Sequence, residues 1–166
     1  TQLRLGSLME QDFSCPIVTI ECGGSTDQLS HEVAFQGINN FLSVHTWQEG
    51  HHLQVVEEYQ HPVRIELQKH ATLSYGDKAN NTDVTLIVDI QQHNTGITRE
   101  GCCLGWCKSD KLPIRALTET GEDYDADLLV CRNNKIYTAR PLRIFMATPN
   151  ITIAKKDCLF YAITQW

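Results

Sequence analysis

Pro16-Ile17-Val18-Thr19-Ile20-Glu21-Cys22-Gly23-Gly24 decides how the chain begins. A short β-branched apolar run reads as a buried strand, two glycines end it, and Ser25-Thr26-Asp27 supplies helix-start residues. One acid sits inside the run. An ionised carboxylate is costly to bury unless it is paired or its pKa moves. Glu21 therefore either meets a local partner or stands at the mouth of a site. Gly23-Gly24 reads first as a tight strand-to-helix turn, with an anion cradle at the helix N-terminus as the alternative.

Working outward, Asp27 to Val44 has helical periodicity. Leu29, Val33, Ile38, Phe41 and Leu42 share a side with Ala34 and Gly37, while Gln28, Glu32, Gln36 and Asn40 lie away from it. Gly37 reads as a point of close packing. The apolar face needs a partner surface larger than one strand supplies.

From about Leu53 the period changes to two. Val63-Arg64-Ile65-Glu66-Leu67, Ala71 to Tyr75, Val84 to Val88, Leu128 to Val130, Ile136 to Thr138, Leu142 to Met146 and Leu159 to Ile163 read as short strands. Gly76-Asp77 and Asn80-Asn81 mark turns, and Asn133-Asn134 between Cys131 and Ile136 is a hairpin signal. Asn94-Thr95-Gly96, Gly101 and Gly105-Trp106 form a glycine-spaced β stretch, and Ala154 to Leu159 reads as a turn entering the last strand. The expected architecture is α+β, mainly β: a strand–helix piece over residues 1–52, then a small β-barrel or sandwich over residues 53–166.

Composition narrows the function classes. With 42% hydrophobic residues the chain can bury a core, and no apolar run is long enough to cross a membrane. The net charge of −6 and the absence of a basic cluster argue against nucleic acid and against an acidic membrane surface. Among the seven cysteines, Cys102, Cys103 and Cys107 crowd together and no Cys-x-x-Cys pair occurs. That pattern reads as reduced, buried thiols in a cytoplasmic protein rather than a disulfide framework.

The histidines at 31, 45, 51, 52, 61, 70 and 93 include no His-x-x-Glu and no His-Glu-x-x-His. Glu58 to His61 has ligand-like spacing, but Pro62 makes the segment extended and sends the two side chains to opposite faces. No complete metal site is expected on this chain. If one were present, His51, His52 and His61 would be its ligands. No Ser or Cys lies in a nucleophile-elbow context.

The order of these pieces resembles a known family. Thr19-Ile20-Glu21-Cys22-Gly23-Gly24, the helix containing Gly37-Ile38-Asn39-Asn40-Phe41-Leu42, His61-Pro62-Val63-Arg64, Asp89 to Gly96, Gly101 to Trp106 and Ile153 to Tyr161 together resemble the C-terminal half of the succinylglutamate desuccinylase/aspartoacylase family, from about residue 13 onward. Those are zinc carboxypeptidase-like hydrolases. The resemblance implies that Glu21 is the general base, taking a proton from zinc-bound water while the metal polarises the scissile carbonyl. It implies zinc with ligands that are not on this chain, because the family's His-x-x-Glu and later His lie upstream of this strand. It implies a small acyl-amino-acid or peptide-like substrate whose amide or ester bond is cleaved, a β unit that walls the cleft, and no activity for this chain alone. A non-catalytic β-barrel module for binding or homo-oligomerisation is the competing expectation.

Overall fold

The computed structural model describes residues 22, 28–43, 59–77, 81–94, 96–109 and 111–164. The chain divides into two compact units, Thr1–Val56 and Glu57–Trp166.

In the first unit, helix α1 spans Gln28–Ser43. The Gln28 amide reaches the Glu32 carboxylate one turn on (3.3 Å), and the Ser43 hydroxyl closes the last turn on the Asn40 carbonyl (2.8 Å). Leu29, Val33, Ile38 and Phe41 are 65%, 48%, 61% and 63% exposed, so the apolar stripe faces outward. Gly37 does not mark close packing: nothing lies within 4 Å of where its Cβ would be.

Among the described residues, the second unit carries ten strands and the short helix α2, Ile151–Lys156. In chain order the strands are β1 Val63–Leu67, β2 Leu73–Tyr75, β3 Val84–Leu86, β4 Ile97–Thr98, β5 Cys103–Cys107, β6 Ile114–Leu117, β7 Leu129–Arg132, β8 Lys135–Thr138, β9 Leu142–Phe145 and β10 Phe160–Ile163. They do not close into a barrel. They form two five-stranded sheets, one ordered β4-β9-β10-β1-β6 and the other β2-β3-β5-β8-β7.

Period-two alternation sets which residues point inward. Val63 and Ile65 of β1, Ile144 of β9 and Phe160 of β10 meet Leu86 of β3, Leu104 of β5 and Ile136 of β8 in one shared core. Burying side chains of this size stabilises by roughly 1.5–3 kcal/mol each before conformational entropy is counted. In the first sheet β10 is central and β1 lies beside it, pairing antiparallel with β10 (Val63 opposite Ala162) and with β6 (Ile65 opposite Ala116).

The Asn133-Asn134 signal is a real hairpin. Both residues adopt left-handed φ (51° and 59°), which the tight turn requires, and β7 and β8 run antiparallel on either side of it. Gly105 is needed for close approach. A Cβ there would stand 2.8 Å from Leu86 Cα and collide with the Thr85 carbonyl, at the point where the β5–β8 register shifts.

Two elements depart from the sequence reading. Ala154 to Lys156, read as part of a turn, belongs to a helix over Ile151–Lys156, because the Asn150 side chain accepts from Thr152 N and Ile153 N (3.0 and 3.2 Å) and caps the first turn. Strand β6 lies where no strand was expected. The thiols also depart: Cys107 and Cys131 are joined as a disulfide, so the expectation of uniformly reduced cysteines is corrected. No helix among the described residues is long and apolar enough to cross a membrane.

Candidate functional site

Glu21 lies outside the described residues, as do Gly23, Gly24, His51 and His52. Cys22 is described and half-buried. His61 is exposed, with its Nδ1 3.6 Å from the Glu119 carboxylate. Among the described residues no group of three or more His, Cys, Asp or Glu converges as a metal site. The residues in view therefore do not fit a zinc centre.

The functional chemistry that can be placed lies on the outward face of the β4-β9-β10-β1-β6 sheet. The strand alternation that sends Val63, Ile65, Leu142 and Ile144 into the core turns Arg64, Glu66, Arg143 and Phe145 the other way. Register then aligns Phe145, Tyr161, Arg64 and Leu117 across four strands. Tyr59 packs over this surface, with the Arg143 guanidinium 4.9 Å from its ring centroid and the Phe145 ring at 5.6 Å, tilted by 48°.

Arg64 organises the other end of the row. Its Nη2 donates to the Asp157 carbonyl (2.8 Å) and lies 3.2 Å from the Asp157 carboxylate, while its Nε pairs with Glu66 at 3.0 Å. A guanidinium on the carbonyl that follows α2 complements the helix's negative end. Burial pushes the neighbouring Cys158 thiol up to about 12; the Asp157 charge adds to the rise and Arg64 opposes it. Burial raises the Tyr161 phenol as well, helped by Cys158 and Asp157. Neither group is an anion near neutral pH, so this face offers hydrogen bonds, aromatic surface and the Arg143 guanidinium.

Asn94 fixes the loop that follows β9. Its amide donates to the Ala147 carbonyl (3.1 Å) and its carbonyl accepts from the Ala147 N–H (2.8 Å). Met146, just before, is held at φ 59°. At the other sheet, Asp83 Oδ2 accepts from the Thr72 N–H (2.8 Å) and hydroxyl (2.7 Å), and the same hydroxyl accepts from the Asp83 N–H (2.9 Å). The Thr72 bonds hold the Asp83 carboxyl below the usual carboxylate range.

Sequence reasoning passed over Arg64, Arg143, Tyr59 and Tyr161 as functional candidates. The signal was present in Val63-Arg64-Ile65-Glu66-Leu67 and Leu142-Arg143-Ile144-Phe145, where alternation places each charged or aromatic residue on one shared face. Tyr59 lies outside any strand pattern, and its role follows only from the fold. Comparison with protein-family models, with curated proteins and with solved structures finds no match to this chain.

Proposed function

We propose that this chain is the C-terminal portion of a hydrolase resembling the succinylglutamate desuccinylase/aspartoacylase family, acting on an amide or ester bond of an acyl-amino-acid-type substrate. The observation that carries the reading is Thr19-Ile20-Glu21-Cys22-Gly23-Gly24 running directly into an amphipathic helix at Gln28. In this reading Glu21 is the general base that accepts a proton from the attacking water, and zinc is held by residues beyond those described. The exposed face of α1 packs on the rest of an α/β domain. The second unit, with its aromatic and guanidinium face, shapes which substrates enter.

Turnover of an N-acyl amino-acid panel by the full-length protein tests this. Glu21→Gln keeps the side-chain volume and removes the proton acceptor, so kcat should fall about 10²–10⁴-fold with KM, metal content and circular dichroism little changed. Activity retained within a few-fold would remove Glu21 from the chemistry. The competing reading is a non-catalytic binding or oligomerisation module, and it is favoured by the self-contained core of Glu57–Trp166. A full-length protein that hydrolyses none of the panel, with or without added zinc, would establish it.

A further inference from the structure

We propose that Cys107 and Cys131 form a reversible redox switch rather than a permanent staple. The two residues come from strands that are not neighbours: Cys107 ends β5, Cys131 lies on the edge strand β7, and β8 runs between them. The bond therefore reaches over the tip of the β7–β8 hairpin, where the Cys107 N–H also donates to the Asn134 carbonyl (3.0 Å). It closes a loop with a sequence separation of 24 that leaves one sheet, contributes β6 to the other, and returns.

The fold accommodates both oxidation states. Backbone ladders already hold β8 to β5 and β7 to β8, so the hairpin keeps its pairing without the bond. Cys107 is 3% exposed among apolar neighbours, a setting that suits a neutral thiol. Cys131 Sγ lies 3.5 Å from the Ser109 carbonyl, so a reduced Cys131 has an acceptor for its S–H in place. Its partial exposure on an edge strand also makes Cys131 the sulfur that an incoming thiolate reaches first.

The proposed reaction takes a dithiol reductant. One thiolate attacks Cys131 Sγ, the S–S bond breaks, and Cys107 leaves as a thiolate that takes up a proton. The second thiol of the reductant resolves the mixed disulfide and frees Cys131. Two electrons and two protons pass to the protein, and the reductant ends as a disulfide. A low-molecular-weight disulfide such as oxidised glutathione reverses the exchange.

The native full chain is treated with dithiothreitol or oxidised glutathione, then acid-quenched, denatured and alkylated, and peptide mapping of the labelled cysteines tests this. The expected result is that Cys107 and Cys131 are protected after glutathione disulfide and labelled after dithiothreitol, over repeated cycles. The reduced protein should stay folded, with a melting temperature about 10–15 °C lower, as loop closure of this length implies. Cys131→Ser should match the reduced protein and lose its response to dithiothreitol. The proposal is overturned if both cysteines label after oxidation, if the bond resists dithiothreitol in the native state, or if reduction or Cys131→Ser unfolds the second unit at 25 °C.

Discussion

Gly105→Ala is a stringent test of how β3 and the central strand β5 of the β2-β3-β5-β8-β7 sheet approach each other. The added methyl would stand 2.8 Å from Leu86 Cα and 3.0 Å from the Thr85 carbonyl carbon, and would overlap the Thr85 carbonyl oxygen. Ordinary carbon contacts are about 3.5–4.0 Å, so β3 has to retreat by roughly 0.7 Å or more. The obstructing atoms are backbone in a paired ladder, flanked by the fully buried Val84 and Leu86, and no side chain can rotate away. Overpacking of this kind costs about 1–3 kcal/mol, and a weakened ladder hydrogen bond adds about 1 kcal/mol. The narrower unfolded ensemble of alanine returns about 0.4–1 kcal/mol. The terms leave a net loss of about 1–3.5 kcal/mol, a fall of roughly 4–14 °C in the melting temperature of a unit this size. Thermal melts by circular dichroism provide the assay. Gly96→Ala, where nothing lies within 4 Å of the new methyl, serves as control and should melt within a couple of degrees of wild type. A Gly105→Ala protein that melts within about 3 °C of wild type would show that β3 is not locked against β5, and the account of the close approach would fail.

Two further outcomes follow from the titrating groups. Asp83 is depressed in the fold by its Thr72 bonds, so its contribution is present above the unfolded carboxylate pKa and lost as pH falls through the folded one. Asp83→Asn should therefore lower the melting temperature at pH 7 by a few degrees, and the gap should shrink below about pH 4 in a pH series of melts. Burial raises Cys158 and Tyr75 to about 12 each, so the stability they support is complete below their unfolded values and declines as pH rises from about 9 toward 12. At pH 8 the native protein should react with iodoacetamide at Cys103 well before Cys158; equal rates, read by peptide mapping, would contradict the burial of Cys158.

The mainly β character was legible in the sequence because strands such as β1 and β9 alternate on their own. Val63 to Leu67 and Leu142 to Met146 need no knowledge of their neighbours to reveal an inner and an outer face. Asn133-Asn134 was legible for the same reason, since a two-residue turn is a local event. Closure was not: whether strands complete a barrel or stop at two sheets depends on which edges meet, and no single segment encodes that. β6 was missed because Pro113-Ile114-Arg115-Ala116-Leu117 opens on a proline and has weak alternation. α2 was missed because its signal is one capping residue, Asn150, ahead of β-branched Ile151 and Thr152. The disulfide was hidden by the crowding of Cys102, Cys103 and Cys107, which offers no unique partner for Cys131, and Cys107 and Cys131 meet only across the β7–β8 hairpin. The candidate base Glu21 was singled out by its chemistry, a lone acid at a strand end, whereas the Arg64–Asp157 and Arg143–Tyr59 pairs needed long-range register to be seen.

The place of β1 carries a consequence for how the protein comes into being. β1 lies inside its sheet, between β6 and β10, and because one of its two partners is β10, Val63 waits for Ala162. Until the ribosome has released residues 160–163, β1 lacks a neighbour along one side and Phe160 is missing from the core. Such distant pairing slows folding and leaves an open strand exposed to nearby nascent chains. Translation arrest or proteolytic clipping a few residues before Ile163 would thus yield an aggregation-prone remnant, making the last strand the quality-control checkpoint of the unit.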